Sequence, residues 1–577
     1  MKKQVIGPFR TFFLKFWRIN LVLGFFIIFS TAIIGRLVFL QILNHQYWQA
    51  LAQGQQKIFE QVKGDRGEIF LRDKTGLVPL AINKVEQFCF ASPQEIENLQ
   101  ETAEILSEVL GLNKEELLKK LENRDSLFLP LKYELTKQEI ESLKNLSLTG
   151  VYLKEEKIRY YPKEDLASSV IGFISEDKLG QYGVEGYWQD TLEGEEVVLE
   201  GEKGPKGYLF LDNQDYESKK GSDIILTIDY NIQYLAEKLL DKAHQDLNIE
   251  GGQIIVIEPN SGKIIALADF PNFNLNKYSA ENNLDIFQNG AIQKIFEPGS
   301  VFKPITMAAA LDQGKVTPQT TFIDDGKVEI GTYTIYNYDN RVWGERTMTE
   351  VLDKSINTGA IFAERQLGHN LFLKYIKKFG LLEPTGIGLQ GEVFSINSEF
   401  QRGYEVNFAT ASFGQGIEIT PIQLTQAFCA IANGGKLVKP YIIEDIISSS
   451  GFSQDLIRDE GEQIISEKTS SQLASMLVSG VEDGYSSGAK IPGYHIAGKT
   501  GTAQVSFSSL GINKKGYSDK TWQSFIGFAP AFSPQFLILV KLNNPSAKTA
   551  SYSAAPIFKD LAQFIIDYWQ IAPDYDI

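Results

Sequence analysis

The chain has 577 residues and a formal net charge of −16, long enough for two or three domains of roughly 150 residues and too acidic for a general nucleic-acid binder. Its two cysteines, Cys89 and Cys429, stand far apart, which excludes a disulfide framework and leaves them to pack as small apolar residues. The histidines His45, His244, His369 and His495 form no metal-binding pattern, so neither a metal nor a cofactor is expected.

The N-terminal segment carries Lys2, Lys3, Arg10, Lys15, Arg18 and Arg36 and no acidic residue before His45. Leu21 to Gly35 is an unbroken apolar or small run. With its flanks, 19–43 is long enough to cross a bilayer, which takes about 20 residues. Arg36 can snorkel from the far end. The basic cluster precedes the span, which places 1–18 in the cytoplasm as a basic tail and the bulk of the chain outside. A cleaved signal peptide is the competing reading, but the span is long for one and no small-x-small site follows it directly.

Residues 44–221 have no catalytic look. Gln46 to Val62 reads as a polar helical stretch, and Gly64 to Phe70 as a turn feeding a strand. Ala91 to Leu121 holds two amphipathic helical patterns. Thr136 and Glu139 are spaced as a capping box for another helix. Val151 to Tyr161 alternates like a strand, and Gly180 to Gly207 reads as loops and hairpins. Together these predict an α+β pedestal.

A second domain is expected over 222–577. Asp223 to Ile228 is a strand, and Asp229 can cap a helix with Ile232, Leu235, Ala236, Leu239, Leu240 and Ala243 on one face. Gly252 to Ile257 and Lys263 to Phe270 are strands joined by the turn Pro259-Asn260-Ser261-Gly262. Helices follow through the middle of the domain. Strands return over His495–Phe507, Thr521–Ala529 and Gln535–Leu542, and a last helix covers Ala554–Trp569. That order suits one sheet made from both ends of the domain and packed on helices.

Chemistry gathers at Glu297-Pro298-Gly299-Ser300-Val301-Phe302-Lys303-Pro304. The residues beyond are apolar or small except Thr306, which predicts a buried helix with Ser300 at its N-terminal end. Positions i and i+3 share a helix face, so Ser300 and Lys303 would point into one space, hydroxyl beside potential base. The same S-x-x-K spacing recurs at Ser175–Lys178 and Ser487–Lys490. Ser175 has no buried helix behind it, because Gly180 follows at once, and Lys490 lies in a glycine-flanked loop. Two further patterns follow in order, Ser355-Ile356-Asn357 and the strand-borne Lys499-Thr500-Gly501-Thr502. Ser395-Ile396-Asn397 and Lys74-Thr75-Gly76 repeat them out of context. Each pattern alone is weak. The three in order, in helix, loop and strand contexts, are a strong signal.

With these motifs the chain resembles the class B penicillin-binding proteins, monofunctional peptidoglycan D,D-transpeptidases. The resemblance extends to Ala411-Ser412-Phe413-Gly414-Gln415-Gly416, Thr420 to Leu424, Ala432 to Gly435, and Phe379-Gly380-Leu381 with Thr385-Gly386-Ile387. In the pedestal it covers Arg66-Gly67-Glu68-Ile69, Arg159-Tyr160-Tyr161-Pro162 and Gly183-Val184-Glu185. Two departures stand out: Asp73-Lys74-Thr75-Gly76 replaces a D-R-N-G box, and Ser169 stands where a histidine is common. Both lie in the pedestal and bear on its surface contacts rather than on catalysis. Ser524 to Pro530 and Ser553 to Phe558 look like the division (septal) branch, with the elongation branch as the alternative.

The resemblance implies an α+β architecture: an N-terminal transmembrane helix, an elongated pedestal of dimerisation type, and a serine β-lactamase-like domain with an antiparallel sheet flanked by helices. It implies acyl transfer from a D-alanyl-D-alanine donor to an amine, and covalent inhibition by β-lactams. Ser300 would be the nucleophile and Lys303 its base. Ser355 would relay a proton to the leaving group, and Asn357 would orient Lys303 and bind the substrate amide. Lys499 and Thr500 would hold the donor carboxylate, and the backbone N–H groups of Ser300 and Thr502 the oxyanion. Gly501 would let the donor lie close to the strand edge, where the stem peptide can add by β-augmentation. The aromatic run Tyr333 to Tyr338 reads either as a groove wall or as a solvent-facing hairpin. The implied partner is a membrane-embedded glycosyltransferase of the division or elongation machinery, docking on the anchor and pedestal. Alternatives are a D,D-carboxypeptidase, a β-lactamase, or a non-catalytic scaffold or sensor.

Overall fold

The computed structural model describes residues 17–43, 57–203, 209–211, 219–454, 456, 458 and 460–576. Most of the basic tail and of the polar stretch after the anchor lie outside these residues. The chain divides into two compact units, one formed by 1–65 and 194–219, the other by 66–193 and 220–577.

In the first unit, helix Trp17–Val38 continues as a π-helical turn over Phe39–Leu43. Its large side chains face outward, with Phe25, Ile27 and Phe29 all more than half exposed. Such a surface suits lipid rather than water. Strand Lys57–Lys63 pairs antiparallel with Glu196–Lys203, which also pairs with Leu209–Leu211. The helical reading of Gln46–Val62 is therefore corrected over its described part. A ladder to a partner distant in sequence overrides the local pattern.

The second unit begins with a mixed sheet. Its strands are β1 (Ile69–Arg72), β2 (Leu77–Ala91), β3 (Leu129–Lys132), β4 (Val151–Tyr160), β5 (Asp223–Asp229) and β8 (Ile443–Ile447). They run in the order β8-β5-β1-β2-β3, with β4 also on β2. Because β5 pairs parallel with β1, the boundary expected after residue 221 falls just before a strand that joins both parts in one sheet. Helices α1 (Leu99–Leu110), α2 (Lys114–Leu121) and α3 (Lys137–Leu146) start at capping side chains of Asn98, Asn113 and Thr136. The Thr136–Glu139 capping box is present. Leu106, Leu110, Leu117 and Leu121 bury their apolar stripe against Cys89 and Ala91 of β2.

The pedestal motifs meet at one carboxylate. Glu185 is fully buried, and its two oxygens take Arg66 and Arg159 at 2.7 Å each. Arg159 Nη1 also donates to Gly67 O, and the Tyr161 hydroxyl lies 3.5 Å from Glu185 Oε1. Both departures from the family pattern have structural partners. The Lys74 ammonium sits 3.9 Å from the centroid of the Tyr568 ring. Ser169 is buried rather than on the surface, and its hydroxyl accepts from Asn289 Nδ2.

Helix α4 (Tyr230–Leu247), capped by Asp229 as expected, precedes the central sheet. Its strands are β6 (Gly251–Ile257), β7 (Ile264–Phe270), β9 (Ala497–Ser506), β10 (Tyr517–Ala529) and β11 (Phe536–Asn543). The order β7-β6-β11-β10-β9 is antiparallel throughout. Alternate side chains serve opposite faces. Ile254, Val256, Ile538 and Val540 pack with α4 and α10 (Ala554–Trp569). Ile255, Ile257, Leu537 and Leu539 face the helical half of the unit. That half includes α5 (Lys303–Asp312), α6 (Met348–Asp353), α7 (Asn357–Leu367), α8 (Pro421–Ala432) and α9 (Glu467–Glu482). Residues Lys303 to Leu311 of α5 are all buried, as its composition predicts.

Candidate active site

Ser300 lies in a 3-10 turn over Gly299–Phe302, and the α-helix begins only at Lys303. The expected helix start at Ser300 is thus shifted by one turn. Pro304 has no N–H to give, and the Lys303 N–H instead closes a tight bond to Ser300 O. Gly299 has φ +62°, a left-handed value that favours glycine. Its N–H donates to Gly414 O at 2.9 Å. A Cβ on Gly414 would meet Gly299 O at 2.2 Å. Thr306 Oγ1 donates to Ser412 O, and the Gly416 N–H donates to Glu297 Oε1. The 411–416 segment, known from sequence only by resemblance, is therefore the backbone cradle of the serine turn.

Ser355 joins α6 to α7 with φ +54°, and Asn357 is the first residue of α7. Lys303 Nζ lies 3.0 Å from Ser300 Oγ, 2.6 Å from Ser355 O, 3.1 Å from Ser355 Oγ and 2.8 Å from Asn357 Oδ1. Lys499 Nζ reaches the same Ser355 Oγ at 3.1 Å from the other side. Residues from all three motifs thus meet at one point. Ser355 O and Asn357 Oδ1 can only accept, so they take two N–H bonds from the Lys303 amine. The rest of that amine faces two hydroxyls, Ser300 Oγ and Ser355 Oγ.

Electrostatics favour a neutral Lys303. It is 1% exposed, and burial followed by the nearby Lys499 charge holds its pKa well below the usual lysine range. Burial lowers Lys499 to about 7, opposed by the Asp353 carboxylate. Burial in turn raises Asp353 to about 6 and Glu297 to about 7.

Strand β9 forms the edge of the central sheet. The Thr500 N–H points away from β10 and donates to Ser486 Oγ at 3.3 Å. By strand parity the Thr502 N–H points the same way, towards the open side. The Thr502 hydroxyl accepts from the Ala550 N–H at 3.2 Å. Gly501 faces the serine turn, where a Cβ would sit 2.9 Å from Val301 Cγ1 and 3.1 Å from Pro298 O. Glycine is needed there to seat β9 against the turn.

The aromatic run forms an antiparallel hairpin, Lys327–Ile330 with Tyr333–Tyr336, and Tyr333 and Tyr336 are more than half exposed. Its last carbonyl, Tyr336 O, accepts from Asn357 Nδ2 at 3.1 Å. The repeated patterns are structural. Ser175 Oγ donates to Leu179 O, and Lys178 pairs with Glu156. Lys490 pairs with Glu482. Asn397 bonds the backbone of Glu418, and Thr75 sits in a turn bonded to Asp73.

Residues 252–563 match the penicillin-binding protein transpeptidase domain family, and 61–226 match the penicillin-binding protein dimerisation domain. Stage V sporulation protein D of Bacillus subtilis is 33% identical over 94% of this chain and 84% of its own length. A probable peptidoglycan D,D-transpeptidase of Pseudomonas aeruginosa is 30% identical over 97% of this chain and 96% of its own. Among solved structures, a peptidoglycan synthetase from Bifidobacterium adolescentis superposes with a TM-score of 0.70 at 25% identity, covering 90% of this chain and 98% of its own. Penicillin-binding protein 3 of Mycobacterium tuberculosis, solved with aztreonam, superposes with a TM-score of 0.69 at 23% identity over 89% of this chain and 98% of its own, and so shares the fold. The chain belongs to the class B penicillin-binding proteins and is a serine-type peptidoglycan D,D-transpeptidase.

Proposed function

We propose that this transpeptidase works through an acyl-enzyme on Ser300 during septal wall synthesis. The observation that carries the residue roles is the Lys303 amine, buried, bonded to two pure acceptors and turned towards Ser300 Oγ. In this reading Lys303 takes the Ser300 proton as Oγ attacks the penultimate D-alanine carbonyl. The Ser300 and Thr502 N–H groups receive the oxyanion. The peptide C–N bond then breaks, and Ser355, between the two lysines, relays a proton to the departing D-alanine nitrogen. Lys499 and Thr500 hold the terminal carboxylate of the donor, and Asn357 binds its amide. A stem-peptide amine attacks the ester next, its proton returns through the same groups, and Ser300 is freed.

The outward-facing apolar helix supports a single-pass anchor. With the basic tail before it, the N-terminus is cytoplasmic and the catalytic domain outside. The division-type C-terminal runs support the septal assignment. The resemblance supports a pedestal over 44–221, a transpeptidase domain over 222–577, and a membrane glycosyltransferase partner.

Incubation with benzylpenicillin followed by intact-mass analysis tests the site. A long-lived adduct on Ser300, absent in Ser300→Ala, is expected. Rapid turnover of the antibiotic would favour a β-lactamase, and folded protein without adduct refutes the acyl-enzyme. A fluorescent fusion spread along the side wall, absent from division sites, would refute the septal role.

A further inference from the structure

We infer that Asp324 and Asn337 are positioning residues for the transpeptidase reaction, holding Asn357 by capping its helix from a separate hairpin. This rests on the role proposed for Asn357. Helix α7 starts at Asn357 without a cap of its own, because Ile356 precedes it and offers no side-chain acceptor. Its first N–H groups need partners. They find one 20 residues back in sequence: Asn337 Oδ1 accepts from the Asn357 N–H at 3.0 Å and the Thr358 N–H at 3.1 Å.

The Asn337 amide is held in that orientation by a carboxylate. Its Nδ2 donates to both oxygens of Asp324 at 2.9 Å, and to Arg341 O at 3.1 Å. Asp324 is 1% exposed and Asn337 4%. Asp324 further accepts from the Gly326 N–H, the Trp343 N–H and Thr358 Oγ1. An inverted Asn337 amide would turn its oxygen on the carboxylate and its NH₂ on two N–H donors. Only one orientation satisfies every group.

The neighbouring residue completes the grip. Tyr336 O accepts from Asn357 Nδ2 at 3.1 Å, which leaves Asn357 Oδ1 for the Lys303 amine at 2.8 Å. The Asn337 side chain and the Tyr336 carbonyl together therefore fix the backbone and the side-chain orientation of Asn357. Losing the grip would loosen the base before it disturbs the sheet or α5. Displacements of about 1 Å from such supports can slow a reaction on the order of 100-fold.

The test uses the full-length protein in detergent and compares Asn337→Ala, Asp324→Asn and Asn337→Asp. Acylation by benzylpenicillin is followed by mass, thermal melting by circular dichroism, and amide hydrogen exchange over 355–360. Wild type labels Ser300. Asn337→Ala is expected to acylate about 10- to 100-fold more slowly and to lose protection at the Asn357 and Thr358 amides. Asp324→Asn turns an NH₂ on the backbone N–H donors that the carboxylate serves, and Asn337→Asp sets two carboxylates together, so both are slow. Near-wild-type acylation in Asn337→Ala, or slow acylation with unchanged protection at the Asn357 and Thr358 amides, overturns the proposal. If wild type forms no adduct, the catalytic reading fails, and unchanged protection in Asn337→Ala alone then refutes the capping.

Discussion

Replacing Glu185 by glutamine removes one buried negative charge and little volume. The carboxylate is fully buried, and the side chains of Arg159 and Arg66 are only 5% and 12% exposed. At ~4 Å between charge centres and an effective dielectric of about 20, each arm carries about 4 kcal/mol of gross attraction. Desolvation of three ions offsets much of that. Breaking such a network from one side still costs about 3–5 kcal/mol, because the remaining charges stay buried without compensation. Arg159 has the least recourse, since its Nη2 is already buried without a partner. The expected outcome is a fall of about 3–5 kcal/mol in the stability of the folded protein, read from urea unfolding at pH 7. None of the side chains on Glu185 touches Lys303 or Ser355, so the protein that remains folded should still label Ser300 at the wild-type rate. A loss below about 1 kcal/mol would refute the idea that this carboxylate holds its two arginines in place.

Two pH-dependent predictions follow from burial. Lys303 must be neutral to accept a proton, so acylation should fall as pH drops through its lowered pKa; Lys499→Gln removes a like charge, raises that pKa and moves the acid limb to higher pH, and a limb that stays put refutes the coupling. Burial raises Glu237 from 4.5 to about 7, so the fold favours its protonated form, and that contribution is present below pH 4.5 and lost as pH rises through 7. Glu237→Gln keeps an acceptor for the Ala167 N–H and removes the charge; its stability relative to wild type should rise by about 3 kcal/mol from pH 4.5 to 8, and a flat difference would refute the assignment.

Much of the fold was legible because its cues are local. The 3.6-residue stripe of α4 and its Asp229 cap, the Thr136–Glu139 box, and the apolar run of Ala554–Trp569 all became the elements they predicted. The three motifs also met, because each sits on an element whose type the surrounding residues specify. The strand Lys57–Lys63 was missed, since its pairing with Glu196–Lys203 depends on residues far along the chain. The turn at Ser300 was placed one turn too early as a helix, since Pro304 and the Gly414 contact act together there.

The amino-acid sequence alone pointed to the residues proposed for the chemistry, namely Ser300, Lys303, Ser355, Asn357, Lys499 and the Thr500–Thr502 run. Only the tertiary structure decided how they meet. Burial and the approach of Lys499 set the charge state of Lys303. Gly501 gained a second demand, close approach to the serine turn. Glu185, Gly414, Asp324 and Asn337 gained tasks that no local pattern reveals. Desolvation and close approach depend on what lies across the core, and a sequence window contains only what lies beside it.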